Sequence, residues 1–213
     1  MLLKKWMLGL IVLSVSLFSH AGLIVSVING AEMEGIEVTA YFGDGSDDTQ
    51  MWLASSSTAG GVNNGDWSLA LEGDTFGDYD SSTDTFFGLW TLENLTIDSG
   101  IIGLSVNAGI ANVYFDILEG FVPSTPGSNA GRPFASNAGE GVTASFSDVY
   151  SAPDLFGVMD ITWNNQSRLA KDEKLLFLTD TDKVMVSEPS MIFVFSFGLL
   201  ALLNSRKILT GRK

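Results

Sequence analysis

Carboxylates are the side chains of this 213-residue sequence that could do chemistry, because the other common catalytic and ligating groups are nearly absent. The chain contains 25 Asp and Glu residues, a single His and no Cys. Without Cys there is no disulfide, thiolate nucleophile or cysteine zinc site. With only His20, a multi-histidine metal site is excluded and a Ser-His-Asp triad would depend on that one residue. Cation binding and acid–base catalysis by paired carboxylates remain open.

Acidic residues cluster at three predicted turns, which makes calcium the cation to consider. The clusters are Asp44, Asp47 and Asp48; Asp74, Asp78, Asp80 and Asp84; and Asp180 with Asp182. Calcium takes about six to eight oxygen ligands, and a tight acidic turn can supply several of them. The EF-hand pattern is absent, since Ser55 stands where its last Glu would be. We take Asp44, Asp47, Asp48, Asp78 and Asp80 as candidate Ca²⁺ ligands, with plain solvated turns as the alternative, and expect no other cofactor.

Catalysis by paired acids would follow the glycosidase scheme, in which two carboxyl groups lie roughly 5–10 Å apart. With 25 acids some pair always suits, so their number is no evidence. Acids within predicted strands, such as Asp116 and Asp160, would matter if they faced a concave surface. Four tryptophans could stack on sugar rings or fill a core: Trp52, Trp67, Trp90 and Trp163. We favour the core, and therefore a protein that is not an enzyme.

Short runs with apolar residues at every second position must position these side chains. Period-two alternation is typical of strands with one buried and one wet face, and no stretch of the body sustains a capped helical period. The sequence predicts an all-β, antiparallel β-sandwich that is jelly-roll-like. Its predicted strands are Leu23–Ile28, Ile36–Phe42, Met51–Ala54, Trp67–Glu72, Phe86–Leu95, Ile101–Asn107, Asn112–Leu118, Val142–Tyr150, Gly157–Trp163 and Leu175–Thr179.

The N-terminus, residues 1–21, has the three parts of a secretory signal peptide. Lys4 and Lys5 precede the apolar run Trp6–Phe18, and small residues stand before a cleavage site between Ala21 and Gly22. We expect a signal helix that is removed by signal peptidase. An uncleaved membrane anchor is the alternative, although the run is short for a span of ~20 residues.

The C-terminus has an apolar run followed by basic residues. Met191–Leu203 is apolar, and Arg206, Lys207, Arg212 and Lys213 come after it. Basic residues on one side of a membrane helix mark the cytoplasmic side. We therefore expect a transmembrane helix in the inner membrane with the body outside; a buried core helix is the alternative that we discount.

The segment 187–213 resembles the PEP-CTERM sorting signal of Gram-negative bacteria. The similar residues are Val186, the motif Ser187-Glu188-Pro189-Ser190, the apolar helix and the Arg/Lys tail, with Ser187 where the family most often has Pro. The resemblance implies a secreted protein that an exosortase, a membrane protease, cuts near Glu188 and Pro189. Short stretches of the body are also similar to domains that carry this signal, which implies a secreted β-sandwich.

Basic and acidic residues are also distributed unevenly along the chain. Between Gly22 and Ser190 there are five basic and 25 acidic side chains, so the net charge of this part is −20. Such a surface repels nucleic acid and anionic lipid. We therefore exclude a nucleic-acid partner.

Together the patterns predict an exported protein whose residues 22–186 form one secreted β-sandwich domain. It would be anchored transiently in the inner membrane and then reach the cell surface or the extracellular space. Its expected partners are the exosortase, signal peptidase and extracellular polysaccharide, in a non-catalytic role in the exopolysaccharide matrix or biofilm. The alternative is a carbohydrate-binding module or carboxylate-dependent glycosidase delivered by the same route.

Overall fold

The computed structural model describes residues 23–25, 28–75, 78–80, 85–87, 89–118, 131–151, 155–164 and 167–185. A compact unit covers Ile24–Val184. The predicted signal peptide and the sorting segment 187–213 lie outside the described residues. Within the described ranges, no helix is both long enough and apolar enough for a membrane crossing.

The described residues form strands and three short 3-10 helices, without any α-helix, which confirms the all-β prediction. The 3-10 helices are Gly30–Met33, Gly109–Ala111 and Gly139–Gly141. The strands, in chain order, are β1 Leu23–Val25, β2 Glu37–Phe42, β3 Asp47–Met51, β4 Leu53–Ala54, β5 Ala59–Asn63, β6 Trp67–Glu72, β7 Asp78–Asp80, β8 Thr85–Phe87, β9 Trp90–Asn94, β10 Ile101–Asn107, β11 Val113–Asp116, β12 Ala135–Ser136, β13 Val142–Ser151, β14 Leu155–Trp163, β15 Lys174–Leu178 and β16 Asp180–Met185.

The larger sheet is built around β14. One edge of β14 pairs with β13 along its length. The other edge pairs with β11 at Leu155 and Phe156 and with β10 from Val158 to Thr162, and all these pairings are antiparallel. β10 and β11 therefore lie end to end beside β14, with the helix Gly109–Ala111 between them. β2 and β3 continue the sheet beyond β10, while β16 and β1 continue it beyond β11.

The second sheet has the strand order β12-β15-β9-β6-β5-β4, and β7 pairs with β8 separately. The chain passes directly between the two large sheets at two places. Trp52 alone separates β3 from β4, and Thr179 alone separates β15 from β16. At each of these single-residue corners the chain leaves one sheet and enters the other, so the end of β15 lies next to the start of β16.

Tryptophan side chains fill the space between the sheets. Trp52, Trp67 and Trp90 are fully buried, and the Trp90 ring lies 5.5 Å from those of Trp52 and Phe177 and 6.4 Å from that of Phe115. Buried indoles need a hydrogen-bond acceptor for the ring N–H. The indole nitrogens of Trp52 and Trp90 donate to the carbonyls of Gly30 (2.7 Å) and Thr179 (3.3 Å). The core interpretation of these three tryptophans is confirmed.

Five strands were not predicted, and two predicted strands prove to be interrupted. The new strands are β3, β5, β7, β12 and β16, which are either very short or rich in Asp, Thr, Gly or Asn rather than in β-branched and aromatic residues. The predicted strand Met51–Ala54 is wrong as one element, since Trp52 is the corner where the chain changes sheets. The predicted strand Phe86–Leu95 contains part of β8 and all of β9, which belong to different sheets.

Candidate functional site

Asp44 and Asp47, two of the candidate calcium ligands, are exposed on the hairpin that joins β2 and β3. The Asp44 carboxylate accepts hydrogen bonds from the Ser46 amide (3.0 Å) and hydroxyl (2.6 Å), which lowers its pKa from the usual 3.8. Asp47 and Asp48 belong to β3 rather than to the turn, so alternation directs them to opposite faces. The predicted arrangement of all three acids around one turn is therefore wrong.

Asp48 faces the core side of the sheet, because its register partner on β2 is the buried Ala40. Its carboxylate accepts from the Trp67 indole nitrogen at 2.8 Å and from the Asn64 amide nitrogen at 2.8 Å. The Gln50 amide nitrogen donates to both of its oxygens, at 3.0 and 3.1 Å. Asp48 thus provides the hydrogen-bond acceptor for the indole N–H of the buried Trp67. The sequence did not reveal this structural role.

Asp78 and Asp80 lie in β7, which pairs with β8. Among the residues whose side chains are described, no group of three or more His, Cys, Asp or Glu converges as a metal site would require. Calcium binding to these residues stays a prediction.

The structure brings together three other carboxylates, on the face of the larger sheet opposite Phe115. Asp116 of β11 is the register partner of Asp180 of β16, and Asp182 follows two residues along the same face. Each is at most 4 % exposed. We call Asp116, Asp180 and Asp182 the buried acid cluster. The sequence had indicated Asp116 as a strand acid and the other two as a turn, but not their convergence.

Burial and like charge perturb the central member of the buried acid cluster. Burial, then the charges of Asp182 and Asp116, raise the pKa of Asp180 from 3.8 to about 7. Thr75 partly compensates, because its hydroxyl donates to Asp180 Oδ1 at 3.1 Å. The same hydroxyl bonds to the Thr181 carbonyl at 3.0 Å, which ties the loop after β6 to β16.

The chain closes tightly over this cluster. Gly131 lies against Asp116 so closely that a Cβ at position 131 would overlap the carboxylate and the carbonyl oxygen of Asp116. The Arg132 amide donates to that carbonyl at 3.0 Å, and the Asp180 amide donates to the Arg132 carbonyl at 3.3 Å. With each carboxylate so enclosed, the cluster can bind and release a proton but offers a sugar substrate no surface.

An open cavity of about 420 Å³ lies elsewhere, beside the half-buried Trp163. Its polar side chains already hold other parts of the chain. Arg168 donates to the Ser99 carbonyl (3.0 Å), Glu173 accepts from the Ala170 amide (2.9 Å), and Lys174 pairs with Glu93 (3.0 Å). Glu173 is the one carboxylate among the described residues that line the cavity. A glycosidase needs two, so this cavity lacks the pair in the part of the chain described.

Asp160, the other strand acid considered for catalysis, belongs neither to the buried acid cluster nor to the cavity beside Trp163. It stands on β14 with Ser105 and Ser145 as its register neighbours, on the face turned away from the core. The described strand acids therefore do not face each other across a groove.

Comparison with known proteins leaves the chain unassigned. No protein-family model, no curated protein and no solved structure matches it.

Proposed function

We propose that the protein is a secreted, non-catalytic component of the bacterial surface or extracellular matrix, sorted by an exosortase and associated with exopolysaccharide. The observation that carries the non-catalytic part is the burial of three of the four body tryptophans together with the buried acid cluster. The three tryptophans fill the space between the sheets, and the three carboxylates are enclosed on the other face of the larger sheet, so neither set forms an exposed sugar-cleaving groove. A jelly-roll-like connectivity of that sandwich is part of the proposal.

Export and sorting are supported by the two ends of the sequence. Lys4 and Lys5 before an apolar run suit a signal peptide. Glu188 and Pro189 precede an apolar segment that ends in Arg and Lys, and such charges resist translocation. This keeps the Glu-Pro motif at the outer boundary of the inner membrane, within reach of a membrane-embedded protease. A proline disfavours helix at the residue before it, so the sequence Glu188-Pro189 favours the extended conformation that a protease substrate requires.

The experiment separates sorting from simple anchoring. Glu188→Ala with Pro189→Ala should leave export intact but trap an unprocessed form in the membrane. Deletion of residues 191–213 should instead release the body into the first compartment beyond the inner membrane. Fractionation and mass spectrometry of the chain termini distinguish these forms.

A matched control replaces the same residue types on the body. Glu140 and Pro133 are both exposed, so Glu140→Ala with Pro133→Ala should be processed and localised like the wild type. Normal processing of the Glu188/Pro189 variant would defeat the sorting proposal and leave the C-terminal helix as an anchor only.

The second candidate is a carbohydrate-binding module delivered by the same route. The cavity beside Trp163 favours it over a glycosidase, since an aromatic ring with nearby polar groups is enough to bind a sugar. Trp163→Ala should then abolish binding of a soluble glucan in affinity electrophoresis. Unchanged retardation would count against this candidate.

A further inference from the structure

The outer face of the larger sheet is a regular polar surface across five strands in the order β3, β2, β10, β14 and β13. The pairing registers align their outward residues in three rows. The rows are Asp47, Tyr41, Gly103, Thr162 and Thr143; Thr49, Thr39, Ser105, Asp160 and Ser145; and Met51, Glu37, Asn107, Val158 and Ser147. We call these fifteen residues the outer face; its aliphatic members are Met51 and Val158, both in the third row.

Hydroxyl groups are the commonest polar group of the outer face, since eight of its fifteen residues are Ser, Thr or Tyr. The Thr39 and Thr49 hydroxyls are 2.8 Å apart, and those of Thr143 and Thr162 are 3.3 Å apart. The two hydroxyls of each pair are thus within hydrogen-bond distance of each other, although the residues that carry them stand on neighbouring strands about 4.8 Å apart. Such a surface can exchange many hydrogen bonds with a ligand that itself carries hydroxyls along an extended chain.

Tyr41 adds an aromatic ring to the outer face. Its ring leans over Gly103, where a Cβ would lie 3.2 Å from Tyr41 Cδ2. The absence of a side chain at position 103 thus lets the ring rest on the sheet, while 43 % of the residue remains exposed. A tyrosine held in this way presents an apolar ring with a polar end, which suits the C–H face and hydroxyls of a sugar.

The charge of the outer face has one sign. Glu37, Asp47 and Asp160 lie in its three rows, one in each. None of the five strands contains Lys or Arg. The face therefore attracts positive charge and repels polyanions such as nucleic acid or uronic-acid polysaccharides.

We infer that the outer face binds a polysaccharide that carries free amino groups, of the glucosamine type. The hydroxyl rows match sugar hydroxyls, Tyr41 packs against a pyranose ring, and the three carboxylates pair with ammonium groups. The inference rests on the proposed matrix role for its setting, and it names the ligand class of that role. It is tested by binding alone, so its failure leaves export and sorting untouched.

The test uses the full-length chain in non-ionic detergent, at a mildly acidic pH where carboxylates are ionised and sugar amines protonated. Isothermal titration compares a glucosamine oligomer, the fully N-acetylated oligomer of the same length, and polylysine. We expect the strongest binding to the glucosamine oligomer, weaker binding to the acetylated one, and a loss of affinity as salt rises. Polylysine binding equal to or tighter than the glucosamine oligomer would overturn the inference, since charge alone would then explain it.

Variants place the binding on the outer face. Tyr41→Ala should weaken it roughly tenfold, as expected for an aromatic contact residue, and Asp160→Asn about two- to fivefold. Leu53→Ala and Glu72→Gln are the controls, because they remove an exposed apolar side chain and an exposed carboxylate from the smaller sheet, away from the outer face. If Glu72→Gln weakened binding as much as Asp160→Asn, or if Tyr41→Ala changed nothing while its melting temperature stayed unaltered, the assignment would fail. Tyr41→Phe, which keeps the ring over Gly103, should retain most of the affinity and so guards against a folding defect in Tyr41→Ala.

Discussion

Individual carboxylates in this protein have sharply different roles although they are chemically alike. Asp44 is fully exposed and stabilised as an anion, Asp48 accepts from a buried indole, and Asp180 is enclosed with two other acids. The role follows from the environment: hydrogen-bond donors favour the charged form, whereas burial and like charges disfavour it. Residue type and spacing alone could not separate these three cases.

Asp180 should make the fold less stable as pH rises. Its folded pKa of about 7 exceeds the ordinary 3.8, so the folded state holds a proton that the unfolded state releases within this window. The free energy of unfolding therefore falls as pH rises through this window, by an amount on the order of a few kcal/mol, and the loss is complete above the folded pKa. Asp180→Asn should remove this loss, because Asn keeps the oxygen that accepts from Thr75. Urea unfolding across the pH range measures it.

Asp98→Asn is the control for the Asp180 prediction, since Asp98 is highly exposed and its ion pair with Lys171 spans 3.6 Å on the surface. It should leave the pH profile unchanged. A wild-type stability that does not fall between these pH values, or an Asp180→Asn profile parallel to the wild type, contradicts the enclosed-acid interpretation.

Asp48 and Asp47 form a natural matched pair. Asp48→Ala should lower the free energy of unfolding by about 1–3 kcal/mol, because the buried Trp67 indole N–H loses its acceptor. Asp47→Ala, one residue away but exposed, should change it by less than about 0.5 kcal/mol. Equal effects in urea unfolding would show that the indole contact does not stabilise the fold.

At the scale of elements, some strands depend on glycines that let another part of the chain pack directly against their backbone. β5 reads Ala-Gly-Gly-Val-Asn, a poor strand sequence, yet it pairs with β4 and β6. Gly60 explains this, because a Cβ there would overlap the Gly30 carbonyl oxygen and the Trp52 indole nitrogen. The glycine that weakens the strand locally is the one that lets the buried tryptophan reach its acceptor.

Gly60→Ala should therefore destabilise the protein by at least about 2 kcal/mol, through overpacking against Trp52 and Gly30. Gly141→Ala is the control: its Cβ would meet no atom within 4 Å, so stability should change by less than about 1 kcal/mol. Thermal unfolding of the two variants measures the difference. A well-tolerated Gly60→Ala would mean that β5 is free to move away from Trp52.

At the scale of the whole molecule, charge is divided along the chain. Positive charge is concentrated at the two ends and negative charge between them, which suits a chain whose ends meet membranes and whose centre is exported. We expect the mature protein to begin at or near Gly22. N-terminal sequencing of the exported protein checks this, and retention of Met1 on it would show instead an uncleaved anchor.

The sequence by itself determined the class of fold and much of the strand content. Alternation in Ile36–Phe42 and Ile101–Asn107 predicted β2 and β10 closely, because each strand packs one face on a core and leaves the other in solvent. The sequence also favoured a core position for four tryptophans; Trp52, Trp67 and Trp90 are fully buried, whereas Trp163 is half-buried against the core. It also indicated the segregated charge and the two terminal segments, since these depend only on local composition.

The tertiary structure alone decided which polar residues meet. β16 was not predicted, because the sequence Asp180-Thr181-Asp182 by itself resembles a turn. Only the folded chain pairs this segment with β11 and covers it with Thr75 and Gly131. The outer face likewise exists only through the registers that align five strands from three separate parts of the chain, namely β2 with β3, β10, and β13 with β14. The local sequence pattern shows which residues of a strand face the core and which face solvent. The residue that lies opposite on the neighbouring strand depends instead on where the chain turns and on which polar side chains the core cannot accommodate.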